Sequence, residues 1–508
     1  MANKQRNFKR MIALALALCS LALCACQNGI GDNGDGTNDS YVNNNTDTSD
    51  SGELFKKIYD DRPQSMDFNE EEIRMVIREE SRYSSEFIAE DMKGSVVSNA
   101  VYVRNTEVKE RLNVTMDIST INNGHGPWDA INISITSGAC DYDVAIGSAA
   151  QATKFALNGS YRNLRNLKNI NLQKEYWSQG MVENMTLADA TYFATGSIST
   201  YFYDSAFVVY FNRELCDAWD ISPDSLYECV MDEKWTLEKM ISLTKDIHGD
   251  TNGDGIANKG DVFGFGLQVT SATDGFFSSC DISCTQVKND GNLKYSIDTD
   301  KLGNVVKALN DFLWNNNGVV ALAEDKKFET EDIYLFENQF ANDQLLFVTD
   351  WLYSTSTDTM RSMESDFGVL PYPKYSEEQE RYYTYAHDRM SVVGVPITVN
   401  ENRLDMVGAF IEAMASGGQN TVMPKYYEKA LTGQYIRDRQ SVETMDIIVR
   451  NISNDRIWFL YYKAVTPLLR EQVWYNKSDY VSTYQSNYSS VDLYLGSMHS
   501  AYEKYANQ

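Results

Sequence analysis

Positive charge, histidine and cysteine are all scarce in this chain of 508 residues. Against 72 Asp and Glu stand 45 Lys and Arg, a formal net charge of −27. Such an excess argues against nucleic acid or anionic lipid as a partner of the folded part, since both would repel it. It identifies no ligand, and a solubilised surface is the plain reading. There are four His. Cys280 and Cys284 would share one helix face, but no His or second Cys pair stands at metal-ligand spacing, so zinc is not indicated. Beyond the N-terminal region lie Cys140, Cys216, Cys229, Cys280 and Cys284. An odd number in a large protein does not imply a disulfide framework, although one pair can form. No later stretch approaches the roughly twenty apolar residues of a spanning helix. A nucleophile elbow, a phosphate-binding loop and HExxH are missing as well.

What the chain does have begins with a processing signal. Lys4, Arg6, Lys9 and Arg10 precede an apolar run over 11–23, the length of a signal-peptide core. The run ends in Leu23-Cys24-Ala25-Cys26, which resembles the bacterial lipobox and makes Cys26 the lipidation site. Cys24 departs from the usual small residue. An ordinary Cys-rich secretory signal is the competing reading. Residues 27–52 are Asn, Asp, Gly, Ser and Thr with almost nothing apolar, and so cannot bury enough surface to fold. As a tether of this length they span on the order of 25–30 Å. The expected plan is a signal peptide over 1–25, a lipid anchor and tether over 26–52, and a globular body held at the outer face of a membrane.

That body is too long for one core and suggests two lobes. Its first part predicts a strand over 73–80, a helix over 95–111, a strand over 114–118, a helix from Pro127 to a stop at Gly138, and a strand over 142–146. Strand–helix alternation with short connections is the pattern of a parallel α/β sheet. Further on, 207–211 and 344–349 read as buried strands, and 392–399 as a strand with Pro396 inside it, hence at an edge or near its end. Helices are expected over 235–246, 301–314 and 404–415, and the tail over 444–508 is mostly helical. No internal repeat is present.

Several segments in order resemble the extracellular solute-binding proteins of the maltose-binding class that serve ABC importers. They are Ala139-Cys140-Asp141-Tyr142-Asp143-Val144, Val208-Val209-Tyr210-Phe211-Asn212-Arg213-Glu214-Leu215 and Trp235-Thr236-Leu237. Val348-Thr349-Asp350-Trp351, Phe367-Gly368-Val369-Leu370-Pro371-Tyr372-Pro373, Pro424-Lys425-Tyr426-Tyr427-Glu428 and Arg437-Asp438 follow. Each motif alone consists mainly of packing residues; their order joined to a lipoprotein signal carries the resemblance. Insertions over 246–297 and a long C-terminus depart from compact members and bear on the ligand.

The resemblance implies a two-lobed, periplasmic-binding-protein-like α/β fold of type II, with lobes over 53–200 plus 375–422 and 201–374 plus 423–508. Ligand would sit in the cleft between lobes joined by crossing strands, and a membrane ABC permease would read the closed form. Aromatic richness, 12% Phe, Trp and Tyr, points to an oligosaccharide, because sugars present C–H faces to aromatic rings and hydroxyls to a few fixed polar groups. Peptides or other polar solutes would suit the same architecture.

Trp351 matches the family's stacking position, and Asp350 beside it can accept from hydroxyls. Tyr203 and Asp204 precede the first crossing strand. Ser148 lies at the carboxyl end of a strand, where parallel-sheet ligands gather. His387, Asp388 and Arg389 form a polar cluster before a returning strand. Trp128, at the start of a helix, can face core or cleft. In a chain this aromatic, each Trp and Tyr has core packing as its competing role.

A separate local motif places Asp250, Asn252, Asp254, Asn258 and Asp261 at positions 1, 3, 5, 9 and 12 of a loop. Gly255 stands at 6, and the carbonyl of Ile256 would serve position 7, a spacing that suits calcium as a structural staple. A solvated acidic turn is the alternative. For the whole chain, the competing class is a surface glycosidase with a calcium-stabilised loop, whose paired carboxylates no sequence spacing reveals. An adhesion lipoprotein is a third.

Overall fold

A computed structural model describes residues 56–508 apart from 64, 123–125, 252, 256, 259, 269, 317, 322–334 and 433–438. The expected signal peptide, Cys26 and tether therefore lie outside the described residues, as do Arg437 and Asp438.

Strand β1 (Glu71–Arg78) opens the body, and helix α1 (Val96–Leu112) follows, capped by Ser95, whose Oγ accepts from the Ser98 amide. Then come β2 (Val114–Ile121), α2 (Pro127–Ser137) and β3 (Val144–Ser148). Pro127 supplies a helical φ where no amide partner is needed, and Gly138 ends α2 at φ 72°, a left-handed cap. β1 lies parallel between β2 and β3. A late strand, β12 (Ser391–Gly394), joins β3 antiparallel as the edge, giving the order β12-β3-β1-β2. It stops two residues before Pro396, shorter than the expected 392–399, because proline cannot donate to a ladder.

Both faces of this sheet are covered. Ile73, Met75 and Ile77 alternate onto one side, packed against Met406, Phe410 and Met414 of α5 (Glu401–Gly417). Each such side chain contributes about 1.5–3 kcal/mol on burial. Val76 and Ala145 face the other way, toward Trp128 and Ile131 of α2.

The second sheet is built from β4 (Phe207–Asn212), β5 (His248–Gly249), β6 (Val262–Leu267), β9 (Val319–Ala321), β10 (Leu345–Trp351) and β11 (Phe367–Leu370). Its order is β11-β4-β10-β6-β5, with β9 also on β6. β10 is parallel to β6 and antiparallel to β4. All six residues of β4 are buried, as its unbroken apolar run predicts for a central strand. α4 (Thr299–Trp314) packs on this sheet through Phe312, whose ring centroid lies 5.2 Å from that of Phe265.

A small hairpin, β7 (Thr285–Val287) and β8 (Leu293–Tyr295), lies in the inserted region. It holds the start of α6 (Tyr480–Tyr505) through the Tyr295–Tyr484 ring pair, 5.0 Å apart. The far end of α6 reaches the segment after β3: Tyr192 donates to the Tyr502 carbonyl at 3.1 Å and Asn163 to that of Ala506 at 2.8 Å. At about 1.5 Å per residue α6 spans roughly 39 Å, enough to join the hairpin to the segment after β3. Among the described residues no helix is long and apolar enough to cross a membrane.

Candidate functional site

Three stretches of chain pass between the sheets and are bonded to one another. The first, 205–207, leads into β4; the second, 384–387, leads from β11 toward β12; the third is 451–454. The His387 amide donates to Ser205 O at 2.8 Å and the Phe207 amide to Tyr385 O at 2.9 Å. Thr384 and Ser453 exchange bonds with their neighbours across the second and third stretches, Thr384 N to Asn451 O and Ser453 N to Thr384 O. Asn454, fully buried, clasps Ala386 through both backbone groups. Small residues (Ser205, Ala206, Ala386) let these backbones approach, and all three are buried.

Beside this layer lies a cavity of about 520 Å³. It stands at the carboxyl ends of parallel strands of both sheets, where loops diverge and leave room for ligands. Arg78 ends β1, Ser148 ends β3, and Thr270 and Ser271 follow β6. The second crossing stretch brings Tyr385, His387, Asp388 and Arg389, and the C-terminal region brings Trp458, Tyr462 and Arg470. Tyr462 is 42% exposed, an open aromatic face. Trp458 is 2% exposed, lines the cavity, and its indole N–H has no hydrogen-bond partner.

The charged groups here are held in place. Arg78 donates to Arg389 O at 2.8 Å and to Ser391 Oγ at 2.7 Å, with its guanidinium 3.4 Å from the Tyr83 ring centroid. Behind it, Ser391 Oγ donates to buried Glu86, which also accepts from Ser199 and the Tyr201 amide. Burial pushes the Glu86 carboxyl up. Asp388 meets His387 at 2.9 Å. Burial alone would raise the Asp388 carboxyl, but His387, Arg389 and Arg470 outweigh it and hold the group below its ordinary value. Arg470 is paired with Asp274, which raises the guanidinium despite burial.

Of the residues singled out from sequence, Ser148, His387, Asp388 and Arg389 meet at this cavity. Ser148 Oγ donates to Asp388 O at 3.2 Å, tying the strand end to the crossing stretch. Trp351 stands one layer back: its ring is 4.7 Å from that of His387 and edge-on to Phe207. Asp350 turns to its neighbour's backbone, accepting from the Trp351 amide at 2.7 Å, and burial pushes its carboxyl up to about 6. Tyr203 and Asp204 are not brought to this cavity. Their short helix, Thr200–Asp204, turns Tyr203 toward Ser197 and another cavity with Trp177, while Asp204 accepts from Tyr426 at 2.6 Å. Trp128 takes its core alternative: it is 0% exposed, packs over Gly147, and donates to Ser148 O at 2.8 Å.

Sequence reasoning missed Arg78, Tyr83, Tyr385, Trp458, Tyr462 and Arg470. Arg78 carried a usable signal, since it closes the first expected strand, where the strand-end rule applies. Trp458, Tyr462 and Arg470 lie in a tail read simply as helical, and no spacing there points to a cleft.

The acidic loop closes the β5–β6 hairpin, with Asp250 directly after β5 and Asp261 directly before β6. Asn252 and Ile256 lie outside the described residues. The Asp250 carboxylate accepts from the amides of Gly253 at 2.7 Å and Gly255 at 2.9 Å, so the chain curls around it. Both glycines have φ near 75°, a left-handed conformation that a side chain would strain. Asn258 donates to Asp254 at 3.2 Å. Asp261 faces inward to His248 and to the amides of Thr251 and Asn258, each at 3.1 Å. The carboxylate-centred curl suits an oxygen-liganded cation, whereas Asp261 is engaged by donors; among the described residues no group of three or more His, Cys, Asp or Glu is gathered as for a metal.

No family model matches this sequence, and no curated protein matches it. Solved structures do match, over most of the described body. An ABC transporter solute-binding protein from Thermotoga lettingae, bound with alpha-D-tagatose, aligns at TM-score 0.52 and 10% identity, over 84% of this chain and 100% of that one. A sugar transporter from Rhizobium etli in an open conformation aligns at TM-score 0.52 and 13% identity, over 85% and 98%. This chain has the solute-binding-protein fold. A third likeness is to an ABC substrate-binding protein from Listeria monocytogenes in complex with cycloalternan, at TM-score 0.50 and 12% identity, over 85% and 99%. The two-lobed fold places the three crossing stretches as the joint and the 520 Å³ cavity as the cleft beside it.

Proposed function

We propose that this chain is a lipid-anchored, extracellular solute-binding protein that captures a carbohydrate, first of all an oligosaccharide, and presents it to an ABC permease. The carrying observation is the cleft itself: polar groups from both sheets and the exposed face of Tyr462 converge at the carboxyl ends of parallel strands, beside a layer of three crossing stretches. Ligand that touches both walls favours the closed arrangement by its differential affinity, and the permease reads that state. The sugars named with the structural neighbours, tagatose and cycloalternan, support a carbohydrate ligand here. Lipid on Cys26 and the tether after it would hold the body at the outer membrane face.

Binding, rather than glycoside hydrolysis, is also what the cleft carboxylates favour. Asp388 meets His387 at 2.9 Å, and Asp274, behind the wall, is paired with Arg470, so both are poor candidates for a free acid–base pair. Calcium would serve as a staple in the β5–β6 loop, with Asp250, Asn252, Asp254, Asn258, Asp261 and the Ile256 carbonyl as its ligands. A bound cation there would supply oxygen cross-links to a long connection.

The test is thermal unfolding of the purified protein across a panel of oligosaccharides. Ligand at a hundred times its Kd adds about 2.7 kcal/mol, a readable shift. A sugar that raises the midpoint in the wild type, and much less in Tyr462→Ala, supports the reading. A panel with no responder would sink the carbohydrate assignment, and consumption of the sugar would replace the binding protein with an enzyme.

A further inference from the structure

The cleft lining is rich in arginine in a chain that is strongly anionic. Three arginines, Arg78, Arg389 and Arg470, line it against the carboxylates Glu80 and Asp388, while the whole sequence carries −27. Most of these charges already have partners: Glu80 with Arg82 at 3.2 Å, Asp388 with His387 at 2.9 Å, and Arg470 with Asp274. Among the described residues, Arg78 and Arg389 make no ion pair. Arg78 uses Nη1 on a carbonyl and Nη2 on a hydroxyl, which leaves donors of its five-donor fork unused. It is also fixed in orientation, between the Tyr83 ring at 3.4 Å and the Tyr201 ring at 5.6 Å. Arg389 is exposed, and its carbonyl is the group that receives the Arg78 side chain, so the end of β1 is tied to the second crossing stretch at the cleft wall.

A neutral sugar closing over this wall would strip water from two guanidinium groups and return only hydroxyls, an unfavourable exchange for a charge. An oxyanion on the sugar returns charge-assisted hydrogen bonds, and the planar guanidinium fork matches such a group through two parallel bonds. We propose that the saccharide selected by this cleft is acidic, its oxyanion received by Arg78 and Arg389. The inference rests on the carbohydrate reading of the same cleft and narrows it. A uronate carboxylate and a sulfate ester share the required chemistry.

The experiment is calorimetric titration of the purified protein with matched saccharides over several linkages: a uronate oligosaccharide, its methyl ester, a neutral oligosaccharide, and the same neutral chain sulfated. The expected result is that one anionic form binds about 30-fold more tightly than its uncharged counterpart, with the difference shrinking as salt is added. Preference over the ester assigns a carboxylate; preference for the sulfated chain assigns a sulfate. In Arg389→Gln, whose side chain is exposed, the melting midpoint stays and the preference falls to about threefold. Arg78→Lys, which keeps the charge and loses the fork, should lose more affinity for the anion than for the neutral chain. Equal affinity for charged and uncharged partners overturns the acidic ligand and leaves the sugar reading standing. Absence of binding to every saccharide overturns both.

Discussion

The side chain of Asn454 reads both backbone groups of Ala386, donating to its carbonyl at 2.6 Å and accepting from its amide at 2.9 Å. All the groups concerned are buried, and the pair joins two of the three stretches that cross between the sheets. Replacing Asn454 by Leu would leave a buried donor and a buried acceptor without partners, at a cost of about 3 kcal/mol. Asn454→Asp keeps the acceptor but sets a carboxylate oxygen against the Ala386 carbonyl in a buried site, so at neutral pH its cost should be the larger of the two. Urea unfolding of the two variants checks the order; equal, near-zero losses would remove Asn454 from the joint.

Tyr462 separates binding from stability. Because 42% of it is already exposed, Tyr462→Ala should leave unfolding within about 0.5 kcal/mol of wild type. Saccharide affinity should drop about tenfold, the size of one lost stacking contact. Unchanged affinity in a titration would show that the sugar does not use this face.

Mild acid should strengthen the fold. Burial pushes the Glu412 carboxyl up to about 6 against hydrogen bonds from Tyr176, Trp177 and the Asn171 amide, and it pushes half-buried Asp204 up to about 7. A raised carboxyl favours the neutral form in the folded state. Its contribution is whole below the ordinary carboxylate range and is lost as pH rises through the folded value. The melting midpoint should therefore climb between about pH 7.5 and pH 5, and Glu412→Gln should flatten part of that slope. Below that window the trend reverses, because Asp60, Asp143 and Asp388 are held below their ordinary values and lose their pairing when protonated. A midpoint that falls steadily from neutral to pH 5 would contradict the assignment.

Gly147 makes room for a tryptophan. A Cβ at this position would stand 2.8 Å from two atoms of the Trp128 indole, on a strand paired on both sides. Gly147→Ala should cost about 2 kcal/mol through overpacking. It should also disturb saccharide binding, because the displaced indole holds the carbonyl of Ser148 at the cleft. Thermal melting and titration of the one variant test both halves.

Calcium should stabilise the β5–β6 connection. Added calcium is expected to raise the melting midpoint of chelator-treated protein by several degrees, following mass action on the folded state. Asp250→Ala, which removes the carboxylate around which Gly253 and Gly255 curl, should abolish the response. An unchanged midpoint with and without the ion would leave the loop a solvated acidic turn.

Local chemistry was legible wherever one residue type answers one local demand. Ser95 before α1, Pro127 at the start of α2 and Gly138 after it begin or end elements where the sequence places them, whereas the helix expected over 235–246 is the shorter α3 (Leu237–Thr244), capped by Thr236. The apolar run of β4 announced a central strand, and Pro396 announced the limit of β12. Ser148 and the 387–389 cluster were legible for a topological reason, since strand ends and returning strands are where a doubly covered sheet opens.

The sequence by itself thus determined the α/β class, the alternation of the first sheet and part of the cleft, because periodicity, capping and turn chemistry act within a few residues. Tertiary structure alone decided which aromatic rings face the cleft. Trp128 and Trp458 are equally apolar in sequence; one fills the space over Gly147, and the other is delivered to the cavity by a tail some 300 residues further on. The pairing of charges was likewise invisible. Whether an arginine meets a carboxylate, as Arg470 meets Asp274, or lines the cavity without an ion pair, as Arg78 and Arg389 do among the described residues, depends on distances that arise when remote segments pack together.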